Sequence, residues 1–164
     1  MNYKEKKELL KQQRERDYQL GAIMEARYKN EILDYFNIDE NDNNIKVKHT
    51  RYGTIDLNIQ NKKTKQKISI EIKSRYCSRT EYVDTMYGIN KLQKQLDDLR
   101  EKKVDKTYSV FVFTDELCFY EVHLDCHRNG DIRYRGGGRG DRALPEWKDY
   151  AYILCDRLIT IRQF

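Results

Sequence analysis

Two short runs of alternating apolar and polar residues constrain the fold of this chain most strongly. Residues 54–60 (TIDLNIQ) and residues 67–74 (KISIEIKS) each place isoleucine or leucine at every second position. Because the side chains of a β-strand point alternately to opposite faces, each run predicts a strand with one apolar face. The polar faces carry Asp56 on the first run and Glu71 and Lys73 on the second. We expect this polar face to be exposed to water, although it gathers two carboxylates beside a lysine.

Other periodic segments predict two helices and several further strands. Asp17 is the expected N-cap of a first helix, and a second helix is expected from about Asp84. A further strand is expected near residues 45–51, and apolar runs predict strands over residues 107–115 and 116–124, with one or two more near the C-terminus. The order of helix, three strands, helix and strands predicts a mixed α/β domain, an α+β arrangement around a mixed central sheet.

Length and composition favour one domain in a reducing intracellular compartment, either the cytoplasm or a host cell. The 164 residues are enough for a real core. Within them, residues 1–16 are expected to form a charged lead-in segment, with a frayed helix as the open alternative, and the glycine- and arginine-rich residues 128–147 a loop. We expect neither a membrane span nor a secretory signal, since no long apolar run occurs. The 4 scattered cysteines fit free thiols.

The spacing of Asp56, Glu71 and Lys73 suits metal-assisted hydrolysis of a phosphodiester. Strand residues i and i+2 lie on one face, roughly 6 to 7 Å apart, and an antiparallel neighbour can bring another acid beside them. Two adjacent carboxylates repel each other, and a hard divalent cation such as Mg²⁺ relieves that repulsion better than a lysine does. A lysine beside the metal can orient or deprotonate its water. The simpler alternative is a solvated hairpin face with a weak ion pair.

The order Asp56, fourteen residues, then Glu71-Ile72-Lys73 resembles the PD-(D/E)XK nuclease superfamily, which includes restriction enzymes and junction resolvases. The core of that family is a helix, a three-stranded meander, a second helix and a further strand. By this resemblance, Asp56 and Glu71 would be ligands of Mg²⁺, with Mn²⁺ as a substitute. The carbonyl of Ile72 would assist as a third ligand, and Lys73 would serve the attacking water.

The resemblance also implies an acid on the first helix. Family members often place it one turn after a glycine, a pattern that Gly21 and Glu25 match. Glu25 would then be a catalytic acid that reaches the metal through water, and Glu31 is the alternative acid. An ordinary exposed helix acid is the simpler reading of Glu25.

Several further polar side chains are candidates for contacts with nucleic acid. Arginine and lysine bind phosphates, and residues near such a site are well placed to do so. Solvated surface charge is the alternative for Arg75 and Arg79, and an unstructured surface loop is the alternative for Arg139. The candidates are Arg75, Arg79, Lys91, Gln95 and Arg139.

A zinc site is a weaker alternative. Cys118, His123, Cys126 and His127 have the composition of one, but residues 118 and 123 fall on opposite faces of a strand. Paired Cys-x-x-Cys spacing is also missing from the sequence. We therefore expect Cys118 and Cys155 to be core residues.

These expectations favour a metal-dependent nuclease, an endonuclease, that hydrolyses DNA. RNA as the substrate and a homodimer as the assembly stay open. One alternative is a non-catalytic nucleic-acid-binding or virion-associated module that keeps the nuclease fold. Another is a structural or protein-interaction domain that binds no nucleic acid. Frequent Asn, Lys, Ile and Tyr residues hint at an AT-rich genome, viral or phage-like.

Overall fold

The computed structural model describes residues 2–50, 55–138 and 147–164. In chain order, the elements of these ranges are α1 (Tyr3–Tyr35), β1 (Ile45–His49), β2 (Leu57–Asn61), β3 (Lys67–Ser74), β4 (Asp84–Tyr87), α2 (Ile89–Arg100), β5 (Lys106–Val112), β6 (Glu116–Val122), β7 (Ile132–Gly138), β8 (Trp147–Leu154), a short 3-10 helix (Cys155–Arg157) and β9 (Ile159–Gln163).

Two sheets organise these strands. A six-stranded sheet has the order β1-β2-β3-β5-β6-β9, and a three-stranded sheet has the order β4-β8-β7. In the larger sheet β1, β2 and β3 form an antiparallel meander, and β5 runs parallel to β3 after the crossover through α2. The predicted mixed α+β fold is confirmed, and so is the predicted order of helix, meander, helix and strands.

The six-stranded sheet separates two apolar cores. On one face, Ile32 and Leu33 of α1 pack against the apolar side chains of β2 and β3. On the other face, Leu92 and Leu96 of α2 pack against Phe111 of β5, together with the smaller sheet. Because both faces are covered at the centre of the sheet, β5 is buried along almost its whole length, as its apolar run predicts.

The first helix begins much earlier than expected. The Asn2 side chain accepts a hydrogen bond of 3.0 Å from the Glu5 N–H, and the Glu5 carboxylate accepts one of 2.7 Å from the Asn2 N–H. This reciprocal capping box starts the helix at Tyr3. The prediction of Asp17 as the N-cap is therefore wrong, and the charged lead-in segment is helical from its third residue.

The second helix begins later than expected. Residues Asp84–Tyr87 form β4, and α2 starts at Ile89 after Gly88. Pairing of β4 with β8 holds this backbone extended, so the helix predicted from Asp84 is wrong in its first turn. A strand of four residues is too short for its apolar pattern to be told apart from that of a helix.

The predicted loop over residues 128–147 contains a strand. Ile132–Gly138 forms β7, which pairs along its whole length with β8. The loop prediction is therefore wrong for residues 132–138. Glycine keeps its backbone N–H and C=O groups, so a glycine-rich segment can still form the hydrogen bonds that pair it with a neighbouring strand. Residues 139–146 lie outside the described residues, and Arg139 with them.

The remaining elements lie close to their predicted positions. β3 coincides with residues 67–74, whereas β2 starts at Leu57, so that Asp56 directly precedes the strand. All 4 cysteines are free thiols, and Cys118 and Cys155 are buried in the core as predicted. Neither described helix combines the length and the apolar character that crossing a membrane requires.

Candidate active site

Asp56 and Glu71 come together beside the hairpin of β2 and β3. Asp56 Oδ2 accepts a hydrogen bond of 2.7 Å from the backbone N–H of Ile72. This bond holds the Asp56 carboxylate against β3, next to the residue that follows Glu71. The N–H and C=O of one strand residue project to the same edge of the strand, so the Ile72 carbonyl lies on the edge of β3 that faces β2 and Asp56. Three oxygen-bearing groups therefore lie near one another.

The Glu71 carboxylate is enclosed and incompletely satisfied. The residue is 0% exposed. Its Oε1 atom forms ion pairs with Lys73 Nζ and, at 3.0 Å, with Lys91 Nζ. Both ammonium groups contact Oε1, whereas Oε2 accepts no hydrogen bond from the described residues. A buried charge in this condition is unfavourable unless a further cation or donor completes its surroundings.

The protonation of Glu71 reflects this enclosure. Burial raises the pKa of the Glu71 carboxyl, Lys73 lowers it, the negative charge of Asp56 raises it, and Lys91 lowers it; the net shift is upward. Asp56 is itself buried, 7% exposed. The prediction that the polar face of these strands is exposed to water is therefore wrong at Asp56 and Glu71, whereas Asn58 and Gln60 on the same face are exposed as predicted. α2 and β4 cover that face around Glu71, and Tyr87 of β4 is also buried there.

Glu25 approaches the site from α1. Its Oε2 atom lies 3.2 Å from Nε2 of His49 on β1. Burial raises the pKa of Glu25, and the nearby charge of Asp56 raises it further. Glu31, the alternative helix acid, instead pairs with Arg162 of β9 at 2.9 Å, at the opposite edge of the sheet.

His49 is a site residue that sequence reasoning missed. It pairs in register with Leu57, the residue after Asp56, and its ring contacts Glu25. The contact depends on the register between β1 and β2 and on the position of α1. A single histidine at the end of a strand gives no local signal of either.

Gln95 belongs to a buried polar layer beneath the site. It is 0% exposed, which excludes the predicted contact between its side chain and nucleic acid. Its amide forms four hydrogen bonds of 2.8 to 3.2 Å, with Tyr87, Thr107, Tyr108 and Ser109. These bonds fix α2 against β5. Lys91 lies one helical turn before Gln95, so the same anchor helps to place its ammonium group beside Glu71.

Arg75 and Arg79 contact the protein itself. Arg75 Nε donates a hydrogen bond of 2.7 Å to Thr85 Oγ1 and ties the end of β3 to β4. Arg79 donates hydrogen bonds to the Leu158 carbonyl at 2.7 Å and to Glu116 at 2.9 Å. It therefore links the connection between β3 and β4 to the region of β6 and β9. Their contacts with nucleic acid stay predictions.

The available donors fit a hard cation better than zinc. The carboxylates of Asp56 and Glu71 and the Ile72 carbonyl supply oxygen only, which Mg²⁺ prefers. Glu71 Oε2, which accepts no hydrogen bond from the described residues, favours a further cation here. Within the described residues, however, no group of three or more His, Cys, Asp or Glu side chains could hold a metal, the cysteine and histidine set around Cys118 included. A site here would therefore use two carboxylates and backbone or water oxygens.

Comparison with known proteins gives one structural likeness. No protein-family model matches the sequence, and no curated protein matches it. Among solved structures, the chain is similar to Hjc, a Holliday junction resolvase from Archaeoglobus fulgidus, at 9% sequence identity and a TM-score of 0.40. The match covers 72% of this chain and 86% of the resolvase chain.

Proposed function

We propose that this protein is a metal-dependent nuclease that hydrolyses phosphodiester bonds of DNA. The observation that carries the proposal is the buried Glu71 carboxylate, which lies beside Asp56 and whose Oε2 atom accepts no hydrogen bond from the described residues. The ion pairs with Lys73 and Lys91 offset part of this buried charge, but the pKa of Glu71 stays raised. Catalytic sites are where proteins tolerate strongly perturbed acids, because the chemistry requires them.

A divalent ion would complete this site. Asp56 and Glu71 would hold Mg²⁺ or Mn²⁺, and the Ile72 carbonyl would assist. When bound, the ion would lower the pKa of water and polarise the phosphoryl group. Glu25 would act from outside, as an acid that binds the water shell of the ion, with His49 fixing its orientation.

The lysines would handle charge and the proton of the attacking water. Lys73 pairs with Glu71 while part of its side chain remains accessible, so its ammonium group can reach a substrate. It would orient the water and offset the charge that develops on the phosphoryl oxygens. Lys91 contacts the same Glu71 oxygen from α2 and would add a second positive charge over the site.

Cleavage of a panel of linear, nicked, branched and single-stranded DNA substrates tests the proposal. We expect cutting with Mg²⁺ or Mn²⁺, and binding with little or no cutting with Ca²⁺, which takes looser geometry. Asp56→Ala should abolish cutting, because it removes a ligand. Lys73→Ala should slow it by about 10² or more, because it removes proton transfer and charge stabilisation.

Matched controls keep the test specific. Asp97→Ala and Lys106→Ala remove a solvent-accessible acid and lysine from other parts of the surface and should leave cutting unchanged. Circular dichroism verifies that each variant is folded. If folded wild-type protein cuts no substrate but binds DNA in a salt-dependent manner, the proposal is wrong and the protein is a non-catalytic binding module.

A further inference from the structure

A groove lined by lysines opens on the sheet face that carries the two acids. Its volume is about 210 Å³. Strands β1, β2 and β3 and the connection between α2 and β5 form its walls. Its polar lining consists of Lys46, Lys48, Asn58, Gln60, Lys67 and Lys103.

Strand register places this lining on the Glu71 face. Lys46 of β1 pairs with Gln60 of β2, which pairs with Lys67 of β3. Side chains of directly paired residues share a sheet face. Ser69 lies between Lys67 and Glu71 and is buried, so the groove does not continue along β3. On β2, the exposed groove residue Asn58 lies two residues from Asp56 on the same face, about 6 to 7 Å away by the rise of a β-strand. The groove therefore leads along β2 toward Asp56.

Three of the four lysines in the groove have no ion-pair partner among the described residues, although the Asp105 carboxylate accepts a hydrogen bond of 2.7 Å from the Lys67 backbone N–H. Lys46, Lys48 and Lys67 are exposed, and their ammonium groups form no ion pair with the described carboxylates, whereas Lys103 pairs with Glu101. Lysines on an edge strand such as β1 also discourage pairing with other chains. That explanation does not cover Lys67, because β3 lies inside the sheet between β2 and β5.

We infer that this groove binds the sugar–phosphate backbone of a nucleic acid strand and directs it into the site of Asp56 and Glu71. The inference rests on the proposed function for what happens to that strand at the acids. The ammonium groups would neutralise phosphates and release their counterions. The amides of Asn58 and Gln60 would donate hydrogen bonds to phosphate or sugar oxygens. Contacts of this kind position the polymer and carry no sequence information.

Salt-dependent binding tests the groove without relying on cleavage. Fluorescence anisotropy of labelled single-stranded and duplex DNA is measured in Ca²⁺ for the wild type and for the triple variant Lys46→Gln, Lys48→Gln, Lys67→Gln. Each phosphate contact contributes about 0.7 to 0.9 to the slope of log affinity against log salt, so the slope should fall by about 2 to 3. At about 0.1 M salt the affinity should fall roughly 10²-fold.

A control variant removes the same charge elsewhere. The substitutions Arg128→Gln, Arg157→Gln and Arg162→Gln change three accessible arginines on or beyond the β6 and β9 side of the sheet. They should leave the slope within the wild-type range. If they lower it as much as the lysine substitutions do, net charge rather than the groove governs binding, and the inference is overturned.

Hydrolysis of bis(para-nitrophenyl) phosphate with Mn²⁺ separates this inference from the proposed function, because so small a diester cannot span the groove and the acids. The lysine variant should hydrolyse it like the wild type. If the variant binds DNA with an unchanged slope, or the wild type binds none, the groove inference is wrong. If the wild type hydrolyses neither substrate but the slope still falls in the variant, the proposed function fails and the groove stands.

Discussion

Replacing Glu71 with glutamine should stabilise the metal-free protein at neutral pH and remove its response to divalent ions. Burial raises the pKa of Glu71 above its ordinary value of 4.5, so the folded state favours the neutral acid. The stability that this upward pKa shift contributes is fully present below pH 4.5 and is lost as the pH rises through the folded-state pKa. Glutamine keeps the shape and stays neutral. The advantage of Glu71→Gln should therefore be largest near pH 7 and vanish toward pH 4.5.

The expected rise in Tm on metal binding follows from the free energy that a bound ligand adds to the folded state. A ligand that binds only the folded state, at 100 times its Kd, adds about 2.7 kcal/mol to the free energy of unfolding. For a chain of 164 residues, each 1 kcal/mol shifts Tm by roughly 2 to 4 °C. Saturating Mg²⁺ or Mn²⁺ should therefore raise the wild-type Tm by about 5 to 11 °C. The Tm of Glu71→Gln should rise by only a small fraction of this amount when metal is added, because the variant lacks a charged ligand.

Differential scanning calorimetry over pH 4 to 8, with EDTA or with metal, measures both effects. Glu121→Gln is the matched control, because Glu121 lies on β6 with an accessible side chain and contacts Lys106 at 3.6 Å. It should respond to metal like the wild type. If Glu71→Gln shows the full wild-type response to metal, Glu71 is not a ligand. If it is less stable than the wild type at pH 7 without metal, its ion pairs with the two lysines outweigh its burial.

Two further predictions concern the supports of the site. Gln95→Leu should lower the free energy of unfolding by about 3 to 5 kcal/mol in urea titrations, because it leaves buried hydroxyl groups unpaired. Gln93→Leu, on the exposed side of α2, should cost much less, and equal costs would contradict the buried layer. The hydrogen bond from Arg79 lowers the pKa of Glu116, so its stabilisation is present above pH 4.5 and lost as the pH falls through the folded-state pKa. The Tm advantage of the wild type over Glu116→Gln should shrink below pH 4.5, and parallel Tm curves would contradict this.

Strand alternation predicted which residues share a face because it depends only on local backbone geometry. The alternation within each of the two strands was enough to assign Asp56, Glu71 and Lys73 to the polar face. The structure has β3 over the same residues as the pattern predicted. Which elements cover that face depends on contacts between distant parts of the chain. The sequence pattern therefore placed the acids on a common face, but it did not show that α2 and β4 would enclose Glu71.

A local signal was present at the true start of α1 but not at the true start of α2. Asn2 and Glu5 have the spacing of a capping box, but they precede the apolar positions from which the helix was predicted. At Asp84, by contrast, no local signal was available. Residues Asp84–Tyr87 are extended because β8 pairs with them, and β8 follows about 60 residues later in the chain. The first error was avoidable, whereas the second followed from long-range pairing.

The burial of Gln95 could have been inferred from the helix alone. Successive residues of an α-helix are about 100° apart, so Gln95 lies only about 60° from Leu92 and about 40° from Leu99. It is therefore at the border of the apolar stripe rather than opposite it. A polar residue there requires polar partners on the facing strand, and β5 offers Thr107 and Ser109. Such a layer next to Glu71 implies that the acid is enclosed, which is the property on which the proposed chemistry depends.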